Sequence, residues 1–140
     1  MTPVTEKSMM SAISSSAQPY VLINFFATYC KPCERELPAL TRMAEEADSD
    51  VHLIYVSLDD QTELRNSLQA MFSRMDLQVP VHHYTLPQAE TFIRRYFPEW
   101  RGDIPLNFVF RRDGSFVKAL GMTDPQEVSM VIHHDQTFRD

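Results

Sequence analysis

Two cysteines, Cys30 and Cys33, stand three residues apart just after the nearly all-apolar run Tyr20–Ala27, and they are the only cysteines among 140 residues. No other feature constrains the chain as strongly. The run is rich in β-branched and aromatic residues, the pattern of a central strand buried on both faces. Beyond the cysteines, Leu37, Leu40, Met43 and Ala44 fall on one broad helical face. Strand, cysteine pair and helix therefore form one unit. A single cysteine pair cannot staple a coreless scaffold. The chain must fold on a hydrophobic core, and its length suits one domain covering 1–140.

The other segments alternate in kind. Thr2 and Pro3 read as an N-cap and first-turn proline ahead of a helix carrying Met9, Met10 and Ile13. The cysteine helix should reach about Ala47, with a kink at Pro38. Val51–Leu58 is the next buried strand, and Leu64, Leu68, Met71 and Met75 mark a helix over 62–75. Val79–Tyr84 reads as an edge strand, because Pro80 cannot donate to a ladder. A short helix carries Phe92, Ile93, Tyr96 and Phe97 on one side. Leu106–Arg111 and Ser115–Leu120 flank Asp113-Gly114, a hairpin signal, and a last helix begins near Asp124 with Pro125 in its first turn. This order predicts an α/β fold: a central mixed β-sheet, mostly parallel, closed by a hairpin and flanked by helices on both faces.

Charge and hydropathy narrow the partners. The net charge of −6 repels phosphate, so no nucleic acid is expected. No apolar run exceeds four residues, so no transmembrane segment is expected. Residues 1–16 lack the apolar core of a secretory signal, which leaves a cytoplasmic protein or one whose signal or anchor has been removed. His82-His83 and His133-His134 read as surface histidines, since neighbours on a strand point to opposite faces and chelate poorly together. Glu45, Glu46, Asp48 and Asp50 read as a solvated helix end, and Arg94-Arg95 as the wet side of a helix.

A bare pair at this spacing fits half a zinc site, a small structural disulfide or a redox couple. Zinc needs about four ligands, and no second such pair or nearby histidine supplies them. A structural bridge over so short a loop is worth only about 2 kcal/mol in the chain-entropy model. A redox couple, by contrast, needs a short ring that opens and closes. Cys30 also stands where a strand ends and a helix starts, the edge at which sites gather in α/β sheets. There the first-turn N–H groups and the helix dipole stabilise a thiolate. Lys31 adds positive charge, Pro32 stiffens the ring, and Cys33 lies one turn deeper. That asymmetry makes Cys30 the attacking thiol and Cys33 the resolving one.

The stretch from Val21 through Asn24, Ala27-Thr28-Tyr29-Cys30-Lys31-Pro32-Cys33 and Glu36 to Pro38 resembles the active-site segment of thioredoxin-like proteins, and within them the TlpA/ResA group. Asn24, Glu36 and Pro38 match that group's asparagine, glutamate and helix proline. Ile104-Pro105-Leu106 and the downstream Asp113-Gly114 resemble its cis-proline strand and hairpin, and the likeness covers about residues 5–134. Tyr29 stands where the family usually has tryptophan, Trp100-Arg101-Gly102-Asp103 looks like a longer approach to the proline, and the family's extra N-terminal strands are not seen.

The resemblance implies a thioredoxin-like fold and a TlpA/ResA-type thiol–disulfide oxidoreductase that reduces disulfides in protein or peptide substrates. A thiol–disulfide partner would recycle the pair, in an extracytoplasmic bacterial setting. It also implies a cis bond at Pro105. Tyr29, Pro32, Ile104 and Pro105 would frame the substrate groove, and Glu36, on the same helical face as Cys33, would exchange protons with it. Asn24 is expected to be a structural hydrogen-bonder. No metal or other cofactor is needed, since the Cys30–Cys33 pair carries the electrons. Two rivals share the motif: an oxidase that introduces disulfides, and a thiolate metallochaperone for copper or zinc.

Overall fold

The computed structural model describes residues 2–3, 5–59, 64–77, 80–83 and 86–139. The strands are β1 (Thr2–Pro3), β2 (Tyr20–Phe26), β3 (Val51–Ser57), β4 (Val81–His83), β5 (Leu106–Arg111) and β6 (Phe116–Leu120). The helices are α1 (Glu6–Ser14), α2 (Lys31–Glu45), α3 (Leu64–Met75), α4 (Leu86–Tyr96) and α5 (Pro125–Arg139). The strands form one mixed sheet in the order β1-β4-β3-β2-β5-β6. The first four of these lie parallel to one another, β5 runs antiparallel to β2, and β6 antiparallel to β5.

β2 occupies the middle of the sheet and is buried at every residue. Its alternating side chains feed two cores. Tyr20, Leu22 and Phe26 pack with Leu37 and Leu40 of α2, Leu68 and Met71 of α3, and Val128 and Ile132 of α5. Val21, Ile23 and Phe25 pack with Met9 and Ile13 of α1 and Phe92 and Ile93 of α4. The nearly all-apolar composition of β2, broken only by Asn24, thus has its cause in two covering layers of helices. At the far end of the hairpin, Gly114 holds a φ of +93°, a conformation that glycine adopts without steric cost.

The architecture expected from the sequence is present, with local corrections. Thr2 and Pro3 form an edge strand paired with β4, and Thr5 caps α1. The cap is a reciprocal box: Ser8 N–H donates to Thr5 Oγ1 at 3.1 Å and Thr5 N–H to Ser8 Oγ at 2.8 Å. β4 is therefore no edge strand, since β3 and β1 flank it. Pro80 precedes the first paired residue, Val81, so its missing N–H interrupts no ladder there. Positions 62 and 63 of the expected helix, and Val79 and Tyr84 of the expected strand, lie outside the described residues. α2 is a single helix that continues through Pro38 and ends at Glu45, close to the expected Ala47. Among the described residues no helix is long and apolar enough to cross a membrane.

A partly buried ion pair ties α5 to the sheet. Asp135 accepts from Arg111 Nε at 3.0 Å and from the Tyr20 hydroxyl at 2.6 Å. The Arg111 guanidinium holds the Asp135 carboxyl below its ordinary value, against the opposing effect of burial, and the Tyr20 hydroxyl adds to the lowering. Burial, reinforced by Asp135, pushes the Tyr20 hydroxyl up to about 12. A depressed carboxyl contributes stability that is complete above its unfolded value of about 4 and is lost as pH falls through the folded value. Asp135→Asn should cost about 2 kcal/mol at neutral pH, the usual scale for hydrogen bonds to a charged group. Urea unfolding should show that difference shrinking as the medium is acidified below the ordinary carboxylate range.

Candidate active site

The site forms where β2 ends. Phe26 is its last residue, and Ala27, Thr28 and Tyr29 turn the chain into α2. Cys30 is the N-cap of that helix, in extended conformation with φ −91° and ψ 103°. Its sulfur accepts the Cys33 backbone N–H at 3.2 Å. A cap side chain that accepts a first-turn N–H occupies the position where an anion is best stabilised. Pro32 lies in the same first turn, where it forfeits no helical hydrogen bond. Cys30 and Cys33 are joined as a disulfide with Cα atoms 5.3 Å apart. Cys33 is fully enclosed, whereas 7% of Cys30 reaches solvent and Tyr29 beside it is 75% exposed.

Asp59, just past β3, holds the turn in place, and nothing in the sequence pattern singled it out. Its two carboxylate oxygens each accept the Thr28 backbone N–H at 3.0 Å, and Oδ1 also accepts the Thr28 hydroxyl at 2.6 Å. The Ser57 hydroxyl donates to Oδ2 at 2.7 Å. Ring nitrogen Nε2 of His83 lies 2.9 Å from the Asp59 carbonyl oxygen. His83 is buried, which corrects the surface reading: its ring is turned inward against the segment that carries Asp59. The only signals in the sequence were a hydroxyl two residues before the cysteine and an acid at a strand end.

Glu36 is buried on α2, one turn beyond Cys33. Its Oε1 accepts from Asn24 Nδ2 at 2.7 Å and from Asn107 Nδ2 at 3.1 Å. Its Oε2 accepts the Thr123 backbone N–H at 2.8 Å. Burial pushes the carboxyl above its ordinary value, and these donors pull the other way, led by Thr123 and followed by Asn107 and Asn24. Asn24 is the structural hydrogen-bonder expected of it. Asn107 and Thr123 were not singled out, because their positions emerge only when β5 and the loop before α5 come beside α2.

The Ile104–Pro105 bond is cis. Leu106 pairs with Phe25, so Pro105 lies at the end of the sheet where β2 delivers Cys30. Ile104 packs against both cores, one of which contains Cys30 and Cys33. The loop before it is anchored by buried Trp100, whose indole N–H donates to the Asp103 carbonyl at 2.8 Å, and Gly102 turns the chain at a φ of +98°. The structure thus brings Tyr29, Cys30, Pro32, Cys33, Ile104 and Pro105 to one end of the sheet, with Glu36 behind them. Among the described residues, no three of the histidines, cysteines and acids gather as a metal centre.

The chain has known relatives. A family model described as thioredoxin-like matches residues 18–116. The thiol-disulfide oxidoreductase ResA of Bacillus cereus is 28% identical over 101 residues, 71% of this chain and 53% of that protein. The chain spans about half the length of the curated relatives it matches. A thioredoxin-related protein from Neisseria meningitidis serogroup B superimposes with a TM-score of 0.69 at 19% identity, covering 88% of this chain and 89% of the other. A secreted disulfide oxidoreductase of Mycobacterium tuberculosis gives 0.56 at 18% identity, covering 83% and 81%.

The Asp59 contacts lead to a local prediction. Asp59→Ala should release the Thr28 amide, whose exchange with solvent deuterium should accelerate about tenfold, the scale of one net hydrogen bond. Amides in the middle of β2 should keep their protection. Residue-resolved hydrogen exchange by NMR makes the comparison.

Proposed function

The chain belongs to the thioredoxin-like family, and on that footing we propose that it is a thiol–disulfide oxidoreductase that reduces disulfides in protein or peptide substrates. The observation that carries this reading is the Cys30 sulfur capping α2, with Cys33 enclosed a turn behind it. In the reduced protein, the Cys30 thiolate attacks one sulfur of the substrate disulfide. The substrate S–S bond breaks, a mixed disulfide forms, and the departing sulfur takes up a proton. The Cys33 thiol then gives its proton to Glu36 and attacks the Cys30 sulfur. The second substrate sulfur leaves as a thiolate and takes that proton. Two electrons have passed to the substrate, and the Cys30–Cys33 disulfide remains.

Glu36 suits the proton step because burial pushes its carboxyl above the ordinary value and it shares a helical face with Cys33. Tyr29, Pro32, Ile104 and Pro105 frame the groove, exposed Tyr29 forming an aromatic wall. An extended substrate would lie along the Ile104 backbone as a short β-like pairing. A thiol–disulfide partner recycles the pair, and no further cofactor enters the electron count. The reading takes residues 1–140 as one domain acting outside the cytoplasm, a setting supported by the secreted Mycobacterium tuberculosis oxidoreductase of the same fold.

The cysteine roles are tested by trapping. Cys33→Ser should accumulate mixed disulfides through Cys30, visible by non-reducing electrophoresis and mass spectrometry, and Cys30→Ser should not. Equal alkylation of the two thiols at mildly acidic pH would reverse the assignment. Glu36→Gln should slow resolution of the mixed disulfide by about a hundredfold, the lower end of general acid–base contributions. Its pH–rate profile should lose the acidic limb, where protonation of Glu36 removes the base. An unchanged profile would return Glu36 to a purely structural role.

A further inference from the structure

We propose that Asn107 is a positioning residue for Glu36, fixing the carboxylate beneath Cys33 and linking it to the loop between β6 and α5. The inference deepens the functional reading above and rests on it. Asn24 and Asn107 face each other across β2 and β5, both fully buried. Their amides offer four N–H hydrogens, and every one has an acceptor. Asn24 donates to Glu36 Oε1 at 2.7 Å and to Asn107 Oδ1 at 2.8 Å. Asn107 donates to Glu36 Oε1 at 3.1 Å and to the Gly121 carbonyl at 2.9 Å.

This pattern fixes both amides. Turning either one over would aim an oxygen at the Glu36 carboxylate and break a bond to the other asparagine. Asn107 also orients Asn24, whose second N–H it accepts. Asn107 is the branch point: it meets Glu36 on α2, Asn24 on β2 and Gly121 after β6. Two residues beyond Gly121, the Thr123 N–H reaches the other carboxylate oxygen. One carboxylate is therefore gripped from two strands and a loop.

The cage favours the anion, since everything bonded to Glu36 is a neutral donor: two amides and a backbone N–H. The first charged group along this chain of bonds is Glu127 of α5, which accepts the Thr123 hydroxyl. Burial works against the anion. Asn24 Oδ1 is buried with no hydrogen-bond donor among the described residues. The sheet register thus sets how readily Glu36 exchanges its proton.

The test follows the Glu36 carboxyl carbon by 13C NMR through a pH titration of the oxidised protein, where neither cysteine titrates. Asn107→Ala removes the amide, and Asn107→Val removes it with a side chain suited to a strand. In either variant that folds, the Glu36 midpoint should rise by about one pH unit, the scale of one charge-assisted hydrogen bond. A midpoint within about 0.2 units of the parent would overturn the proposal; that margin is far below the one-unit effect. The unmutated protein gives a second reading that needs no variant. The side-chain 15N–H resonances of Asn107 should move with the same midpoint as Glu36, and flat resonances would sink the idea. Neither reading depends on turnover. Joint titration of Asn107 and Glu36 together with an unaltered pH–rate profile in Glu36→Gln would uphold the positioning and refute the proton-transfer step.

Discussion

Full burial of β2 is the constraint on which the other elements depend. A strand enclosed on both faces needs a helical layer above and below and a neighbouring strand on each side. Here the layers are α1 with α4 and α2 with α3 and α5, and the neighbours are β3 and β5. Enclosure also fixes direction, because the chain must leave the core at the carboxyl end of the strand. Cys30 stands four residues beyond that end, so the packing that stabilises the fold also places the sulfur at the helix cap.

The site sets opposing electrostatic demands side by side. The α2 N-terminus favours an anion at Cys30. Behind it, Glu36 is an acid in a dry environment, kept within reach of ionisation by neutral donors. Asp59 uses its oxygens on Thr28 and Ser57, which turns a buried acid into a rigid bracket for the turn. All three groups are satisfied by hydrogen bonds to the backbone or to hydroxyl and amide side chains. The cysteine region is thereby held rigid on three sides, while Tyr29 projects into solvent.

Local chemistry was legible in the sequence wherever one segment sufficed to define it. The apolar run marked β2, Pro125 marked the first turn of α5, and Asp113-Gly114 marked the hairpin. The cysteine spacing, read with the strand before it, located the helix cap. The reading failed at Thr2-Pro3 and at β4. There a two-residue strand pairs across 80 positions, with Thr2 opposite His82, and no local pattern encodes such a partner. The burial of His83 was equally illegible, since its ring partner, the Asp59 carbonyl, lies 24 positions away.

The sequence by itself determined the element order from α1 onward, the polarity of the cysteine pair along its helix and the presence of a carboxylate one turn beyond Cys33. These follow from spacings of three or four residues, where helix geometry fixes neighbours without reference to the remaining chain. Tertiary structure decided what surrounds that carboxylate. Asn24, Asn107 and Thr123 lie 12, 71 and 87 positions from Glu36, and only the sheet register and the docking of α5 bring them together. Whether a buried acid ionises is settled by the donors within hydrogen-bond reach, and long-range packing selects those donors.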